Sequence, residues 1–301
     1  MSTSPSRKRV GTVCELWRYP VKSLGGERLD HAAALPDIGL LGDRGWAIRD
    51  ETAFELRSAK KWPALLELRA EYLEEPAADG TPPVRIHLPT GQHIDTHQPD
   101  ADARLGEALD KLVSIHPRVS AEQKEHFRRR EPITDMAAKT REASELLPDE
   151  PLPCFDDVPI DLSLVAEYIS PPGTYFDFFQ LHLLTTRSLE TLARLAPASR
   201  IDARRFRPNL LVEVDDDVSG FPEFDWCGKG IAIGTLELQI VMPMMRCAMT
   251  THAQGELPKD PAIMRTLVRE SGMNLGVGAQ VLRAGEVSLG DELVLFDLPA
   301  N

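Results

Sequence analysis

The length, composition and charge of the chain limit what kind of protein it is. Its 301 residues provide enough core for one large or two ordinary domains, and 42% apolar and 27% charged residues are typical of a globular protein. The formal net charge of −13 argues against general binding to nucleic acid or to an acidic membrane, because both require a basic surface. An anionic ligand must therefore meet a local cluster of positive charge.

The N-terminus and the cysteines carry no export or disulfide pattern. The segment MSTSPSRKRV is basic but has no apolar segment behind it, so it does not predict a secretory signal, and no apolar run approaches the length of a membrane span. The cysteines Cys14, Cys154, Cys227 and Cys247 are widely spaced and form no CxxC pair. This usage predicts free thiols in a reducing cytoplasm.

The first predicted elements are short β segments separated by glycine and proline. Residues 12–46 contain CELWRYPVKSLGGERL and GLLGDRGWAI. The breaks at Pro20, Gly25 and Gly42 predict that the polar groups of YPVKS and GDR lie in loops between buried segments.

A hairpin and a helix are predicted next. Apolar residues alternate at 68–72 and again at 84–88, which indicates two paired strands. Helical spacing of leucines follows, with Asp102 placed as the N-cap. These elements predict a first αβ domain over residues 10–117.

The segment 118–175 differs from its surroundings. It is charged, punctuated by proline and poor in aromatic residues. This composition predicts a mobile or peripheral connector with a helical piece, so the domain boundary is placed at its start and the second domain covers residues 118–301.

The remaining chain predicts a second, β-rich domain. The run LHLLTT predicts a buried strand with Thr185 or Thr186 as the cap of a following helix, and strands are predicted in RPNLLVEV and on both sides of Gly234. A later helix begins at Asp260 and ends at Gly272. Many short strands with few helices favour a barrel or a strongly curved sheet, and hence an α+β fold that is mainly β.

Positive side chains lie at the ends of the predicted loops, and two interpretations remain open. They are Lys22, Arg44, Arg207 and Arg246. They either form ion pairs with the abundant acidic residues or, together with hydrogen-bonding groups nearby, hold a phosphate. The neighbouring groups are Ser23, Thr186 and Asn209.

Cys247 follows a predicted strand that ends at Pro243, at a position where loops often carry chemistry. Arg246 beside it favours the thiolate, which is the form that ligates metals and acts as a nucleophile. Two alternatives stay open: a small buried hydrophobic residue, and a Cys–His pair with His252.

A zinc site is a weaker alternative. His93, Asp95 and His97 alternate in GQHIDTH and would share one face of a strand, but no fourth ligand is nearby. The sequence contains neither a P-loop nor a GxGxxG motif opening a helix after a strand.

Seven segments together resemble the MOSC-domain proteins. YPVKS, GLLGDRGWAI and WPALLEL resemble the N-terminal domain of the two-part branch that includes the mitochondrial amidoxime-reducing component and its bacterial relatives. LHLLTTRSLETL, RFRPNLLVE, IAIGTLELQIVMPMMRCAMTT and GEVSLGDELVLF resemble the MOSC domain itself. The resemblance implies a MOSC-type β-barrel with peripheral helices, preceded by a MOSC-associated αβ domain.

The resemblance also implies a molybdenum cofactor, that is, a pyranopterin dithiolene with a terminal phosphate. The family cysteine of the RC-x-x-TT element ligates molybdenum, and here it is Cys247, a soft thiolate ligand. The residues expected at the pterin and phosphate are Lys22, Ser23, Arg44, Thr185, Thr186, Ser188, Arg207 and Asn209, to which the cationic loop adds Arg246.

Three departures from the family pattern are visible. Met244 and Met245 precede the cysteine loop and would make the metal pocket more apolar or crowded. HAQGE replaces the usual acidic residue and proline after AMTT, which places His252 beside the site as a candidate catalytic proton donor. The connector 118–175 has no clear counterpart.

The implied activity is reduction of N-hydroxylated small molecules such as amidoximes, hydroxylamines and hydroxylated bases. Because the sequence has no iron–sulfur cysteine motif and no flavin or nicotinamide fingerprint, electrons are expected from a separate protein. Two alternatives remain: a sulfur-carrier or cofactor-delivery protein with a persulfide on Cys247, and a cofactor-free MOSC-fold binding protein.

Overall fold

The structure is a computed structural model, and it describes residues 7–153, 158–214 and 218–299. Cys154 lies outside the described residues. The strands are β1 (Lys8–Arg18), β2 (Glu27–Leu29), β3 (His31–Leu35), β4 (Gly39–Leu40), β5 (Trp46–Asp50), β6 (Glu55–Leu56), β7 (Arg69–Tyr72), β8 (Val84–His87), β9 (His93–Asp95), β10 (Val113–Pro117), β11 (Leu181–Thr185), β12 (Leu210–Val214), β13 (Gly230–Ile233), β14 (Leu236–Met245), β15 (Asn274–Arg283), β16 (Gly285–Ser288) and β17 (Glu292–Phe296). The α-helices are α1 (Ala101–Leu109), α2 (Lys124–Phe127), α3 (Met136–Ser144), α4 (Leu162–Glu167), α5 (Thr186–Leu195) and α6 (Pro261–Ser271).

Seven strands close into a barrel, which confirms the predicted architecture. Their order is β12-β11-β15-β14-β13-β17-β1, and pairing of β1 with β12 closes the ring. The alternation read from β14 holds, since Leu236, Leu238 and Ile240 are fully buried in the barrel core. Closure leaves these seven strands without a free edge along the ring.

Strand pairing crosses the predicted domain boundary. β1, at the start of the chain, lies between β17 and β12, and β3 pairs with β16 near the other end. Val13 and Leu16 of β1 are buried in the same core as the strands of the second half. The barrel therefore contains strands from both predicted domains, 10–117 and 118–301.

The rest of the first half forms two small sheets over a core of its own. One sheet has the order β10-β5-β6 and the other β7-β8-β9. The predicted hairpin is confirmed, because β7 and β8 pair in antiparallel register from Arg69 opposite His87 to Tyr72 opposite Val84.

The predicted N-cap of the helix in this half was wrong. The cap residue is Asp100, and Asp102 lies in the first turn, where its carboxylate accepts a hydrogen bond from Ile115 N at 2.9 Å. The helix ends at Leu109, because Asp110 adopts a left-handed conformation with φ of 51°. The side chain of Asp102, which the local pattern assigned to the cap, instead accepts a hydrogen bond from a residue of β10.

Over its described residues, 118–153 and 158–175, the connector contains the predicted helical piece, as α2, α3 and α4, and it also forms specific hydrogen bonds and ion pairs that the sequence did not predict. Its backbone joins two stretches, with Arg129 N donating to Glu167 O at 2.9 Å and Ile169 N to Phe127 O at 2.8 Å. Arg265 of α6 forms an ion pair with Glu150 at 2.7 Å. The charges that predicted a solvated linker are in part used in such specific pairs.

The two longer helices of the second half begin where the sequence predicted. Thr185 Oγ1 accepts from Ser188 N at 3.1 Å, and Asp260 Oδ1 accepts from Ala262 N at 3.0 Å. Gly272 ends α6 with φ of 58°. None of the helices in the described ranges is long and apolar enough to cross a membrane.

Candidate functional site

A cavity of about 810 Å³ lies where the two halves and the connector meet. This volume is within the range of about 300–1,000 Å³ that small-molecule sites occupy. Seven predicted site residues line it, namely Lys22, Ser23, Arg44, Arg207, Asn209, Arg246 and Cys247. Residues separated by more than 200 positions are thereby brought together.

Cys247 places a thiol at this cavity. It is half-buried, and it directly precedes a short 3₁₀ helix, Ala248–Thr251. Of the three cysteines that the structure describes, it is the one that lines the cavity. Burial raises the pKa of Cys14 and of Cys227 to about 11, so those two thiols stay protonated at neutral pH.

Arg246 is held rigidly next to Cys247. Its guanidinium donates to the carbonyls of Phe206 and Leu275, at 3.0 and 2.7 Å, and to Nε2 of His182 at 2.5 Å. Burial lowers the pKa of Arg246 to about 9, and the neighbouring Cys247 acts in the opposite direction. Burial removes water from the guanidinium group of Arg246, and a bound anion would compensate for this loss with its negative charge.

His182 is a site residue that the sequence reading missed. It lines the cavity, and burial together with Arg246 lowers its pKa well below the ordinary value, so the imidazole is neutral at neutral pH. The available signal was a histidine inside the buried strand LHLLT.

Two arginines stack on Tyr19. The guanidinium carbons of Arg207 and Arg44 lie 4.1 and 4.8 Å from the centre of its ring. Arg44 pairs with Asp43, whereas Arg207 donates through Nη1 to the carbonyl of Leu24. Nη2 of Arg207 is buried and has no hydrogen-bond partner within the described part of the chain. Burial, and secondly Arg44, lowers the pKa of Arg207 to about 10.

Lys22 forms an ion pair with an acidic residue of the protein, as the first of the two interpretations predicted. Its ammonium donates to Tyr175 O at 2.8 Å and to Asp177 at 2.6 Å, and Lys60 lies 3.4 Å from the same carboxylate. Burial lowers the pKa of Lys22, although Asp177 acts against it. Burial alone would raise the pKa of Asp177, but the two lysines hold it well below its usual range.

Ser23 and Asn209 build the cavity wall with bonds to the protein itself. Ser23 Oγ accepts from Ala59 N at 3.0 Å. Asn209 accepts from His182 N at 3.0 Å and donates to Trp17 O at 3.2 Å, which ties β11 to β1. Both side chains therefore position their neighbours.

Four predicted residues, all within the described ranges, do not line the cavity: Thr185, Thr186, Ser188 and His252. The hydroxyls of Thr185 and Ser188 donate to the buried carboxyl group of Glu223, at 2.7 and 2.6 Å. His252 is buried, and burial lowers its pKa. The structure does not bring the predicted proton donor to the thiol.

The methionines before Cys247 do reach the cavity. Its lining includes Met242, Met244, Met245 and Met249, all half-buried.

The zinc alternative finds no support, since no group of three His, Cys, Asp or Glu residues in the described ranges can hold a metal ion. Asp95 instead forms a two-point ion pair with Arg85, at 2.7 and 2.8 Å.

Comparison with known proteins gives matches along most of the chain. The model of the MOSC N-terminal beta barrel domain matches residues 10–114, and that of the MOSC domain matches residues 173–294. Mitochondrial amidoxime reducing component 2 of Rattus norvegicus is 27% identical over 271 residues, covering 82% of this chain and 69% of the relative. Mitochondrial amidoxime-reducing component 1 of Mus musculus is 27% identical over 268 residues, covering 82% and 68%. The crystal structure of the YuaD protein of Bacillus subtilis aligns with a TM-score of 0.45 at 13% identity, covering 98% of this chain and all of that one.

Proposed function

Since the chain belongs to the two-part MOSC-domain proteins, we propose that it binds the molybdenum cofactor and reduces N-hydroxylated small molecules. The names of its relatives support the reaction class, because they are amidoxime-reducing components. In this proposal Cys247 is the metal ligand, and the cationic residues of the cavity hold the anionic remainder of the cofactor.

The orphaned nitrogen of Arg207 is the observation that carries the proposal. A buried guanidinium N–H without an acceptor is costly, and this one lines the cavity that also contains the Cys247 thiol. A phosphate or pterin oxygen supplies the missing acceptor, and arginine suits phosphate because of its planar fork of donors. The residues present therefore fit a ligand with a soft-metal end and an anionic end.

Each wall residue has a distinct part in binding. Arg207 and Arg44 would hold the anionic end, with both guanidinium groups kept in place by Tyr19. The sulfur of Cys247 would hold the metal, as a soft ligand, and Arg246 lies beside it in the chain. When bound, the cofactor would supply the two-electron chemistry of the reduction.

The reaction requires protons and electrons from elsewhere. Reduction of R₂N–OH consumes two electrons and two protons, breaks the N–O bond and gives R₂NH and water. The sequence contains no CxxC pair of the kind that holds iron–sulfur clusters, so we propose a separate protein as the electron donor.

Metal and pterin analysis tests the proposal. Protein from a molybdate-fed host should contain both molybdenum and pterin and should reduce benzamidoxime with a reduced viologen dye. Cys247→Ala should keep molybdenum and pterin but lose reductase activity, because the dithiolene of the cofactor still holds the metal, whereas Arg207→Met should lose both molybdenum and pterin. Cys227→Ala is the matched control, because that thiol packs against the barrel core away from the cavity.

The other functions give different results. Wild-type protein that contains neither molybdenum nor pterin, although Cys247 is intact, would overturn the proposal. Sulfane sulfur trapped on Cys247 by mass spectrometry, without turnover of N-hydroxylated compounds, would favour the sulfur carrier. A function that survives Cys247→Ser would favour the cofactor-free binding protein.

A further inference from the structure

We propose that two stretches of the connector, residues 118–153 and 158–175, line a substrate pocket with an apolar wall and one polar anchor, Ser170. The pocket would select neutral N-oxygenated compounds with a compact apolar body, such as a phenyl ring. This inference rests on the proposed function, which it extends from a reaction to a class of substrate.

The apolar wall comes from the connector and from the methionine segment. Three half-buried side chains of the connector, Ile133, Met136 and Val165, line the same cavity as Cys247. Met244 and Met249, which lie on either side of Cys247 in the sequence, also line the cavity. Methionine adapts its shape to irregular apolar ligands. The cationic residues and the apolar wall are therefore parts of one cavity.

Four polar side chains on this wall are already bonded within the connector. Lys139 and Glu142 pair with each other at 2.6 Å, and Thr140 Oγ1 donates to Met136 O at 2.8 Å. Asp161 accepts from Ser163 N at 2.9 Å, as the cap of α4. A ligand that touches this wall meets mainly apolar atoms.

Ser170 is the exception. Its side chain is 1% exposed and lines the cavity, and its hydroxyl has no hydrogen-bond partner in the part of the chain that the structure describes. A buried hydroxyl without a partner lowers the stability of the folded protein. A ligand in the cavity supplies that partner, since the hydroxyl both donates and accepts.

The backbone of the wall is held in place before any ligand arrives. Ile133 N donates to Ala166 O at 2.9 Å, and Arg129 Nε donates to Val165 O at 3.0 Å. The pocket is therefore preformed, so that little ordering is required when a ligand binds.

Binding of two amides to the purified full-length protein tests the pocket without turnover. Benzamide and acetamide share a neutral polar end and differ in the apolar body. Calorimetry should show benzamide binding at least about tenfold more tightly, because its ring loses contact with water. Equal dissociation constants for the two amides would overturn the proposal.

Variants identify the residues. Ile133→Asn should reduce the preference for benzamide about tenfold, and Leu147→Asn, an exposed position in the same segment, should leave it unchanged. Ser170→Ala should weaken both amides while the melting temperature stays the same or rises, because it removes an unpartnered buried hydroxyl. A lower melting temperature with unchanged amide binding would assign Ser170 a structural role and overturn the anchor.

Turnover separates this inference from the proposed function. With a reduced viologen dye, benzamidoxime should have a higher kcat/KM than hydroxylamine, and Ile133→Asn should reduce that ratio. If neither compound is reduced, the proposed function fails, and the amide data still decide the pocket. If both are reduced with a ratio that Ile133→Asn leaves unchanged, the pocket proposal fails alone.

Discussion

At the scale of single residues, three arginines that line the cavity show why composition does not reveal a binding site. Arg205 donates to backbone carbonyls through all three of its nitrogens, and Arg246 is similarly used by carbonyls and a histidine. Arg207 leaves one nitrogen without a partner among the described residues. The first two arginines are parts of the framework, whereas the third is available to a ligand.

Glu223 carries a prediction about pH at the same scale. Its carboxyl group is fully buried, and burial raises its pKa although Ser188 and Thr185 donate to it. A carboxyl group whose pKa is higher in the folded chain contributes stability below its unfolded pKa, about 4.3, and this contribution is lost as the pH rises through the folded pKa. The stability of Glu223→Gln relative to the wild type should therefore increase as the pH rises from about 4 to mildly alkaline values.

Thermal unfolding of the two proteins from about pH 4 to pH 8 measures this difference, over a range that includes the ordinary glutamate pKa. Glu286→Gln, at an exposed position, is the control and should give a difference that does not grow with pH. A gain for Glu223→Gln that is constant or falls with pH contradicts the assignment.

At the scale of elements, one side chain fixes the turn that follows Cys247. Arg205 donates to the carbonyls of Thr250 and His252, at 3.3 and 3.2 Å, and to Pro258 O at 2.7 Å. These carbonyls belong to a segment with little regular structure. The guanidinium group therefore supplies the hydrogen-bond donors that backbone N–H groups supply within a sheet. The position of the thiol therefore depends on Arg205.

Arg205→Lys should destabilise the protein by about 2–4 kcal/mol, because lysine cannot reach the same carbonyls with a planar fork and leaves some of them buried without a donor. Urea unfolding measures this loss. Arg204→Lys, the neighbouring position, should cost less than about 1 kcal/mol, because Arg204 forms partly exposed pairs with Asp202 and Glu256. Similar losses for the two variants would show that the carbonyl contacts do not carry the difference.

The elements also show which features a sequence can predict. Asp260 and Gly272 were predicted correctly, and Thr185 is one of the two caps predicted for α5, because a cap depends on neighbouring residues alone. The cationic lining of the cavity was anticipated from charges at loop ends. The contact of Asp102 with Ile115, and the connector as a cavity wall, depend on tertiary packing that no local pattern records.

At the scale of the whole molecule, the barrel joins the two ends of the chain. β1 pairs with β17 on one side and with β12 on the other, so the first residues close a ring formed by the last. Two family models match separate ranges, 10–114 and 173–294, but the barrel core contains side chains from both. We therefore expect that folding of the second range requires the first.

A chain cut at the predicted boundary tests this dependence. Residues 118–301 alone lack β1, and with it Val13 and Leu16, which are 1% and 0% exposed in the barrel core. Loss of one of seven strands also exposes the hydrogen-bonding edges of β12 and β17. This fragment should show no cooperative thermal transition, whereas its co-expression with residues 1–117 should restore one. A fragment that unfolds cooperatively by itself, with the near-ultraviolet circular dichroism of native packing, would mean that the barrel closes without β1. The sequence boundary would then also be a boundary of folding.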